Sequence, residues 1–257
     1  MSRFEDAIPF QALPLTCSRC TVRSRSLCRD LPPDRLHALN QISVHRKYSA
    51  GQTIVTEGEP DFFANVVDGV VLEKKTMEDG REQIVSLLFP ADFLGQTFTG
   101  TAEATVEAAS DVTLCTFDKQ RFARLAAQHP ELEHRLLEHT LEALRDARVW
   151  LLLLGQKTAT ERVATFLDRL ASRSAATGCA HVSLEPGHDK LEFELPITRS
   201  QIAAFLGMTI ETVSRKLTAL RRAGVIDIID IKTVRLLDRK RLRVASGEPD
   251  SRPGASI

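Results

Sequence analysis

The sequence has no apolar run approaching the roughly 20 residues that a membrane-spanning helix needs. Its longest leucine run, residues 151–154, lies inside an amphipathic pattern. The N-terminus has no apolar signal-peptide core, so the expected location is the cytoplasm, with no membrane partner. Thiols stay reduced there, and the five cysteines are not expected to form a disulfide framework. A Gly-rich nucleotide loop, a metal-hydrolase motif and a nucleophile elbow are all missing, which argues against an enzyme. Net charge is missing too, since 34 Lys and Arg balance 34 Asp and Glu. The charge is unevenly spread, however. Residues 197–243 carry eleven Lys and Arg against four Asp and Glu, a local balance of +7. Such a stretch favours a polyanion, because phosphate contacts supply much of the affinity for nucleic acid. With 257 residues and 43% hydrophobic content, the chain suits one large domain or two small ones with a sizeable core.

Residues 198–224, TRSQIAAFLGMTIETVSRKLTALRRAG, read as two short amphipathic helices, 200–206 and 210–220. Gly207 can close the first in a left-handed conformation, and Thr209 is a good N-cap for the second. Ile202, Ala203, Leu206, Met208, Val213 and Leu217 form the shared apolar seam. Glu211, Ser214 and Arg215, at i, i+3 and i+4, then share an outward face. A helix-turn-helix needs this arrangement to enter a major groove. Arg215 can pair bidentately with guanine, Glu211 can accept from cytosine, and Ser214 can touch a base edge. Residues 225–231 and 233–237 read as a wing, with Arg221, Arg222, Lys232 and Arg235 as candidate phosphate contacts. Thr209 and Lys232 complete the candidate DNA-binding set.

Towards the N-terminus, Cys17-Ser-Arg-Cys20 is followed, seven residues on, by Cys28. Three thiols within twelve residues suit a soft metal or an iron–sulfur cluster. A fourth ligand must come from elsewhere, and zinc or no metal stays open on spacing alone. Cys115 lies in a strand-like run, whereas Cys179 has no assignable role.

Residues 42–117 alternate strand-like runs with turns at Gly51, Gly58, Gly69, Gly80, Gly95 and Gly100, the pattern of a roll or jelly-roll barrel. Asp79-Gly80 is hairpin chemistry. Pro130 opens a long helix to about residue 155. Leu137, Thr140, Leu144, Ala147, Leu151 and Leu154 recur at steps of 3 and 4, the period of a coiled-coil seam, and predict a homodimer. Leu136, Leu141, Val149, Trp150 and Leu153 widen the apolar surface and are expected to pack on the roll. A further amphipathic helix is expected over 158–172, then a linker over 175–190 and a short strand over 191–195. The expected organisation is a cysteine-rich segment (1–30), a β-rich sensor (31–129), a dimerisation helix (130–156), a winged helix-turn-helix (157–244) and a disordered tail (245–257).

Residues 202–217, with Gly207 in the turn and Glu211-Thr212-Val213-Ser214-Arg215 opening the second helix, resemble the DNA-reading motif of the CRP/FNR superfamily. The E-x-x-S-R pattern resembles its FNR and FixK branches. The pattern G-x-x-I-x-x-x-G-E from Gly51, with Gly69, Asp79-Gly80-Arg81 and Gly95, resembles the cyclic-nucleotide-binding roll of that superfamily. The resemblance implies an α+β fold: an N-terminal β-roll, a long dimerisation helix and a C-terminal winged helix-turn-helix. It implies an activator of anaerobic or microaerobic gene expression that senses oxygen. Such an activator would bind a TTGAT-like inverted repeat in double-stranded DNA as a homodimer and touch RNA polymerase, with exposed roll loops at 76–82 and 89–95 as candidates. Carried over by position, Cys17, Cys20, Cys28 and Cys115 match the ligands of a 4Fe-4S cluster, with a spacing similar to the FnrL/FnrN subgroup. Two positions depart from the pattern. Gln96 stands where a ribose-binding glutamate belongs and residues 101–109 contain no arginine, so no cyclic nucleotide is expected. Ala147 stands where some FNR-like proteins carry an acidic seam residue. The alternatives are a regulator of the same fold with zinc, thiol or no cofactor input, as in the FixK branch, or an iron–sulfur redox protein.

Overall fold

The computed structural model describes residues 13–95, 100–177 and 191–248. Gln96, Cys179 and residues 249–257 of the tail lie outside them. Two helices open the described chain, α1 (Leu15–Ser18) and α2 (Pro33–Ile42). Eight strands follow: β1 (Ser43–Tyr48), β2 (Thr53–Val55), β3 (Phe63–Asp68), β4 (Val71–Thr76), β5 (Glu82–Leu88), β6 (Phe93–Leu94), β7 (Thr105–Ala108) and β8 (Val112–Phe117). They form two antiparallel four-stranded sheets, ordered β1-β8-β3-β6 and β2-β7-β4-β5. Alternate residues of both sheets, among them Ala64, Val66, Val71, Val106 and Leu114, close a common core. All six glycines expected in turns have positive φ. At Gly69 the reason is doubled, because a Cβ would also collide with the Asp111 carbonyl.

Next come α3 (Lys119–Gln128) and the 27-residue α4 (Pro130–Gln156). Pro130 starts α4 where its missing N–H costs nothing. The C-terminal part comprises α5 (Ala159–Thr177), β9 (Leu191–Glu194), α6 (Arg199–Leu206), α7 (Ile210–Arg222), β10 (Ile226–Ile228), β11 (Thr233–Leu236) and α8 (Arg239–Ala245). Its three strands pair in the order β10-β11-β9, the wing sheet. Among the described residues no helix is long and apolar enough to cross a membrane.

Several elements differ from expectation. Helix α5 runs on to Thr177, past the expected end at 172. Helix α8 was not anticipated; Asp238 caps it by accepting from the Arg241 backbone N–H, and Leu242 anchors it. Of the residues expected to pack α4 on the roll, Leu136 joins a cluster beneath the cysteine segment. Leu153 and Trp150 pack instead into the C-terminal core, and Leu141 stands exposed. The physical reason is that α4 outruns the roll: its first turns meet one domain, its second half meets the other through Asp146, Trp150 and Leu153, and Leu137, Leu141 and Leu144 between them stand exposed.

The candidate cysteine site and DNA interface

Cys17 lies in α1, Cys20 in the turn after it, and Cys28 in a loop held by the buried side chains Val22, Leu27 and Leu31. Cys115 sits mid-strand in β8, between His45 of β1 and Asn65 of β3. All four thiols are free and partly buried. Burial pushes the Cys28 thiol up to about 12, and the nearby Cys115, Cys17 and Cys20 oppose its ionisation further. Burial likewise raises Cys115 to about 12, against a lowering hydrogen bond with Ser43, while Cys17 and Cys20 add to the rise. Cys17 is raised too, again mainly by burial. Thiols that oppose one another's ionisation in this way occupy one region. Two asparagines flank them. Cys17 Sγ donates to Asn40 Oδ1 at 3.8 Å, and Asn65 Nδ2 donates to Cys28 Sγ at 3.7 Å. Among the described residues no group of three His, Cys, Asp or Glu side chains stands at metal-binding separations. The donor set itself, four soft sulfurs in one partly buried region, fits a thiophilic centre.

The cysteine segment and α4 share a core. Leu27 and Leu31 pack with Phe63, Phe117, Phe122 and Leu132, while Cys28, Cys115 and Leu136 border the cluster. An ion pair between Arg135 and Asp30 closes its edge. One turn further along α4, the expected seam begins. Leu137, Leu144 and Leu151 are 54%, 45% and 70% exposed, and Thr140 and Ala147 are exposed with them. Leu154 departs from the expected seam. It is half-buried against the C-terminal core and lies beside Gly207, so it belongs to the joint with α6.

In the C-terminal part, Thr198 and Gln201 form a capping box that starts α6. Gly207 ends it at φ +60, and the Met208 N–H returns to the Ala203 carbonyl at 3.0 Å. Thr209 then caps α7 by accepting from the Thr212 N–H at 3.3 Å. Val213, Leu217 and Leu220 are buried against Ile202, Ala203, Phe205 and Leu206. Phe205 was missed from the sequence because its partners, Trp150 at 4.6 Å and Phe166 at 6.0 Å, come from α4 and α5. Glu211 and Arg215 stand exposed on the outer face of α7, with Ser214 half-exposed beside them. The Glu211 backbone N–H and the Thr209 hydroxyl hold the Glu211 carboxyl below its ordinary range, so it remains an acceptor at neutral pH. Arg215 Nη2 donates to Thr212 Oγ1 at 3.3 Å, which lies 3.1 Å from Thr209 Oγ1.

The wing is fixed by Asp230, whose Oδ1 accepts from the Lys232 and Thr233 backbone N–H groups at 2.7 and 2.8 Å. Lys232 is exposed at its tip. Arg221 and Arg235, two of the candidate phosphate contacts, are engaged by Asp227 at 3.2 Å and Glu192 at 2.9 Å. Another residue was not legible in the sequence. Arg162 of α5 donates to three carbonyls: Lys157 at 2.9 Å, Leu206 at 3.0 Å and Leu154 at 2.7 Å. It ties the end of α4 to the end of α6. Within the roll lies a cavity of about 20 Å³ bordered by Asp61, Glu73, Thr101 and Glu103. Burial raises the Glu73 carboxyl, and Glu103 adds to the rise.

A β-roll, a long helix with an open apolar stripe and a winged helix-turn-helix define a two-domain transcription regulator rather than an enzyme. The comparisons narrow the class. Residues 45–129 match the cyclic nucleotide-binding domain family, and residues 161–245 match the Crp-like helix-turn-helix domain family. The chain is 40% identical over 242 residues to the transcriptional activator protein FnrL of Cereibacter sphaeroides, covering 94% of this chain and 95% of that one. It is 36% identical to the nitrogen fixation regulation protein FixK of Bradyrhizobium diazoefficiens, over 88% of this chain and 92% of that one. The solved structure of FixK2 from Bradyrhizobium japonicum superimposes with a TM-score of 0.71 at 29% identity, covering 82% of this chain and all of that one. The chain belongs to the CRP/FNR family of transcription regulators.

Proposed function

We propose that this protein is a DNA-binding transcriptional activator of the FNR/FixK type, acting in the cytoplasm as a homodimer and sensing oxygen through a 4Fe-4S cluster. Cys17, Cys20, Cys28 and Cys115 would hold the cluster. The observation that carries this reading is the shared core, in which the cysteine loop packs through Leu27 and Leu31 on Leu132 of α4. The exposed stripe of the same helix starts one turn beyond. When bound, a 4Fe-4S cluster supplies oxygen-reactive iron. The chain's own residues do the rest. The cysteines tie the N-terminal segment to β8, and the segment supports the first turns of α4. Leu137, Thr140, Leu144, Ala147 and Leu151 meet their twins across a two-fold axis. The two copies of α7 then stand about one DNA turn, ~34 Å, apart.

On a TTGAT-like half-site, Arg215, Glu211 and Ser214 read base edges from the major groove. Thr209 and Lys232 lie towards the phosphates. An activator also contacts RNA polymerase. The exposed loop at 76–82 is the better candidate surface, because Asp92 and Phe89 of the 89–95 loop are engaged by Arg173. The acidic lining of the roll cavity, Asp61, Glu73 and Glu103, opposes a cyclic phosphate, which supports a regulator without a cyclic nucleotide.

A second reading has its own support. The FixK relatives are similar over most of the chain. In that reading the input is zinc, thiol chemistry or none. Anaerobic purification with iron, sulfide and zinc analysis separates the two. A straw-brown protein with matched iron and sulfide supports the cluster, whereas a colourless one, with or without zinc, sinks it.

A further inference from the structure

Asn65 occupies a position where a polar side chain is costly. It lies in the middle of β3, is 2% exposed, and stands in register opposite Cys115 of β8. Its neighbours in the strand, Phe63, Ala64 and Val66, are buried and apolar. A buried amide group left without a partner is destabilising, and a β-branched apolar residue would suit the strand better. The Asn65 Oδ1 is in that state, buried with no hydrogen-bond partner. Its Nδ2, by contrast, is spent on Cys28 Sγ at 3.7 Å. The side chain therefore serves the sulfur at the expense of its own carbonyl.

We propose that Asn65 is a positioning residue of the cysteine site, whose amide N–H donates to the Cys28 sulfur and sets the potential and oxygen stability of a thiolate-held iron–sulfur centre. The inference rests on the cluster reading above. Its physical basis is general. Hydrogen bonds to ligating sulfurs are one of the determinants of cluster potential, and partners behind the ligands orient them. An N–H directed at a thiolate draws electron density from it and favours the reduced centre. The donor also fixes the rotamer of Cys28, the ligand contributed by the loop that packs on α4. Asn40 plays the opposite part at Cys17, accepting from the thiol.

The test uses the full chain, purified anaerobically as wild type, Asn65→Leu, Asn65→Ser and Asn65→Ala. A colourless, iron-free wild type removes the cluster reading and this proposal with it. With a coloured wild type the variants test Asn65 alone. Asn65→Leu fills the same space without the donor. Its centre is expected to have a more negative midpoint potential and to bleach in air several-fold faster. Its metal-free form is expected to melt at the wild-type temperature or above, because the unpartnered Oδ1 is gone. Unchanged potential and bleaching overturn the proposal, and a lowered melting temperature with unchanged potential makes Asn65 purely structural. Should Asn65→Leu not fold, Asn65→Ser retains an O–H donor and is expected to lie nearer wild type in potential than Asn65→Ala. Equal potentials for those two overturn the proposal as well.

Discussion

Arg215, the proposed reader of a base edge, illustrates how a single side chain is prepared for docking. A long guanidinium on an open face loses rotamer freedom when it docks on a base, and that loss weakens the contact. Here Thr212 shortens the search, accepting from Nη2 at 3.3 Å while its own hydroxyl is linked to Thr209. Arg215→Ala is expected to cost about 1–3 kcal/mol of DNA affinity and to relax preference at one base pair. Thr212→Val keeps the shape of the side chain and removes the acceptor. It is expected to cost about 0.5–1.5 kcal/mol, the net worth of one hydrogen bond, with the same base preference. Competition binding against duplexes altered one position at a time measures both. If Arg215→Ala discriminated between sites as the wild type does, another face of α7 would have to be the reader. The shared outer face of Glu211, Ser214 and Arg215 was legible in the sequence because helical spacing alone puts them together. Asn65 and Arg162 were not, because their partners Cys28 and Leu206 lie 37 and 44 residues away. No local period marks such a residue. Asn65 reads as an interruption in an apolar strand, and Arg162 as one more charge on an amphipathic helix.

Among the elements, α4 carries two loads at different ends, and their energies differ in kind. At its start the helix meets the cysteine segment through an ion pair and an apolar cluster. Asp30 of that pair is 66% exposed, and exposed pairs contribute about 0–1 kcal/mol. Leu132 is 2% exposed among Leu27, Leu31 and Phe122. The coupling therefore rests on the apolar contacts. Leu132→Ala is expected to destabilise the fold by about 2–5 kcal/mol in chemical denaturation, and Arg135→Ala by less than about 1 kcal/mol. Further along, the stripe from Leu137 to Leu151 stands exposed and has no apolar partner among the described residues. On the proposed seam, a carboxylate placed there would face its own copy across the two-fold axis. Ala147→Asp is expected to raise the dimer dissociation constant about tenfold or more, roughly 1.4 kcal/mol, as read by analytical ultracentrifugation. An unchanged dimer mass across dilution would move the dimer contact off this stripe. The period of the stripe was legible from residues 137–151. Its far end was not, because Leu154 obeys the same spacing yet turns into the C-terminal core. Periodicity identifies an apolar face but does not say which neighbour covers it.

At the scale of the whole molecule, the question is what fixes α7 relative to the dimer axis. Three contacts do so. The β4–β5 hairpin of the roll sends Leu72 and Ile84 into the core that also holds Phe205 and Leu167. Arg173 of α5 spans Asp92 of the roll and, at 2.9 Å, Asp146 of α4. Arg162 joins the last carbonyls of α4 and α6. The third contact bears most directly on geometry, since the ends of the dimerisation helix and of the helix-turn-helix share one guanidinium. Its three acceptors are helix-end or linker carbonyls that would otherwise lack donors. Arg162 is only partly buried, and replacing it with leucine leaves them without those bonds at about 0.5–1.5 kcal/mol net for each. Arg162→Leu is therefore expected to lower stability by about 2–4 kcal/mol in total. The stripe 137–151 lies before this joint, so the dimer mass is expected to stay at the wild-type value. The signature lies in DNA binding. On a duplex with a single half-site, one α7 docks independently, and the variant should bind nearly as the wild type does. On the inverted repeat both copies must dock at a fixed separation, and a loosened joint adds an ordering cost that only this duplex senses. The expected result is a selective loss on the inverted repeat, tenfold or about 1.4 kcal/mol. An equal loss on both duplexes would instead place the damage within α6 and α7 themselves and release Arg162 from its role as the joint.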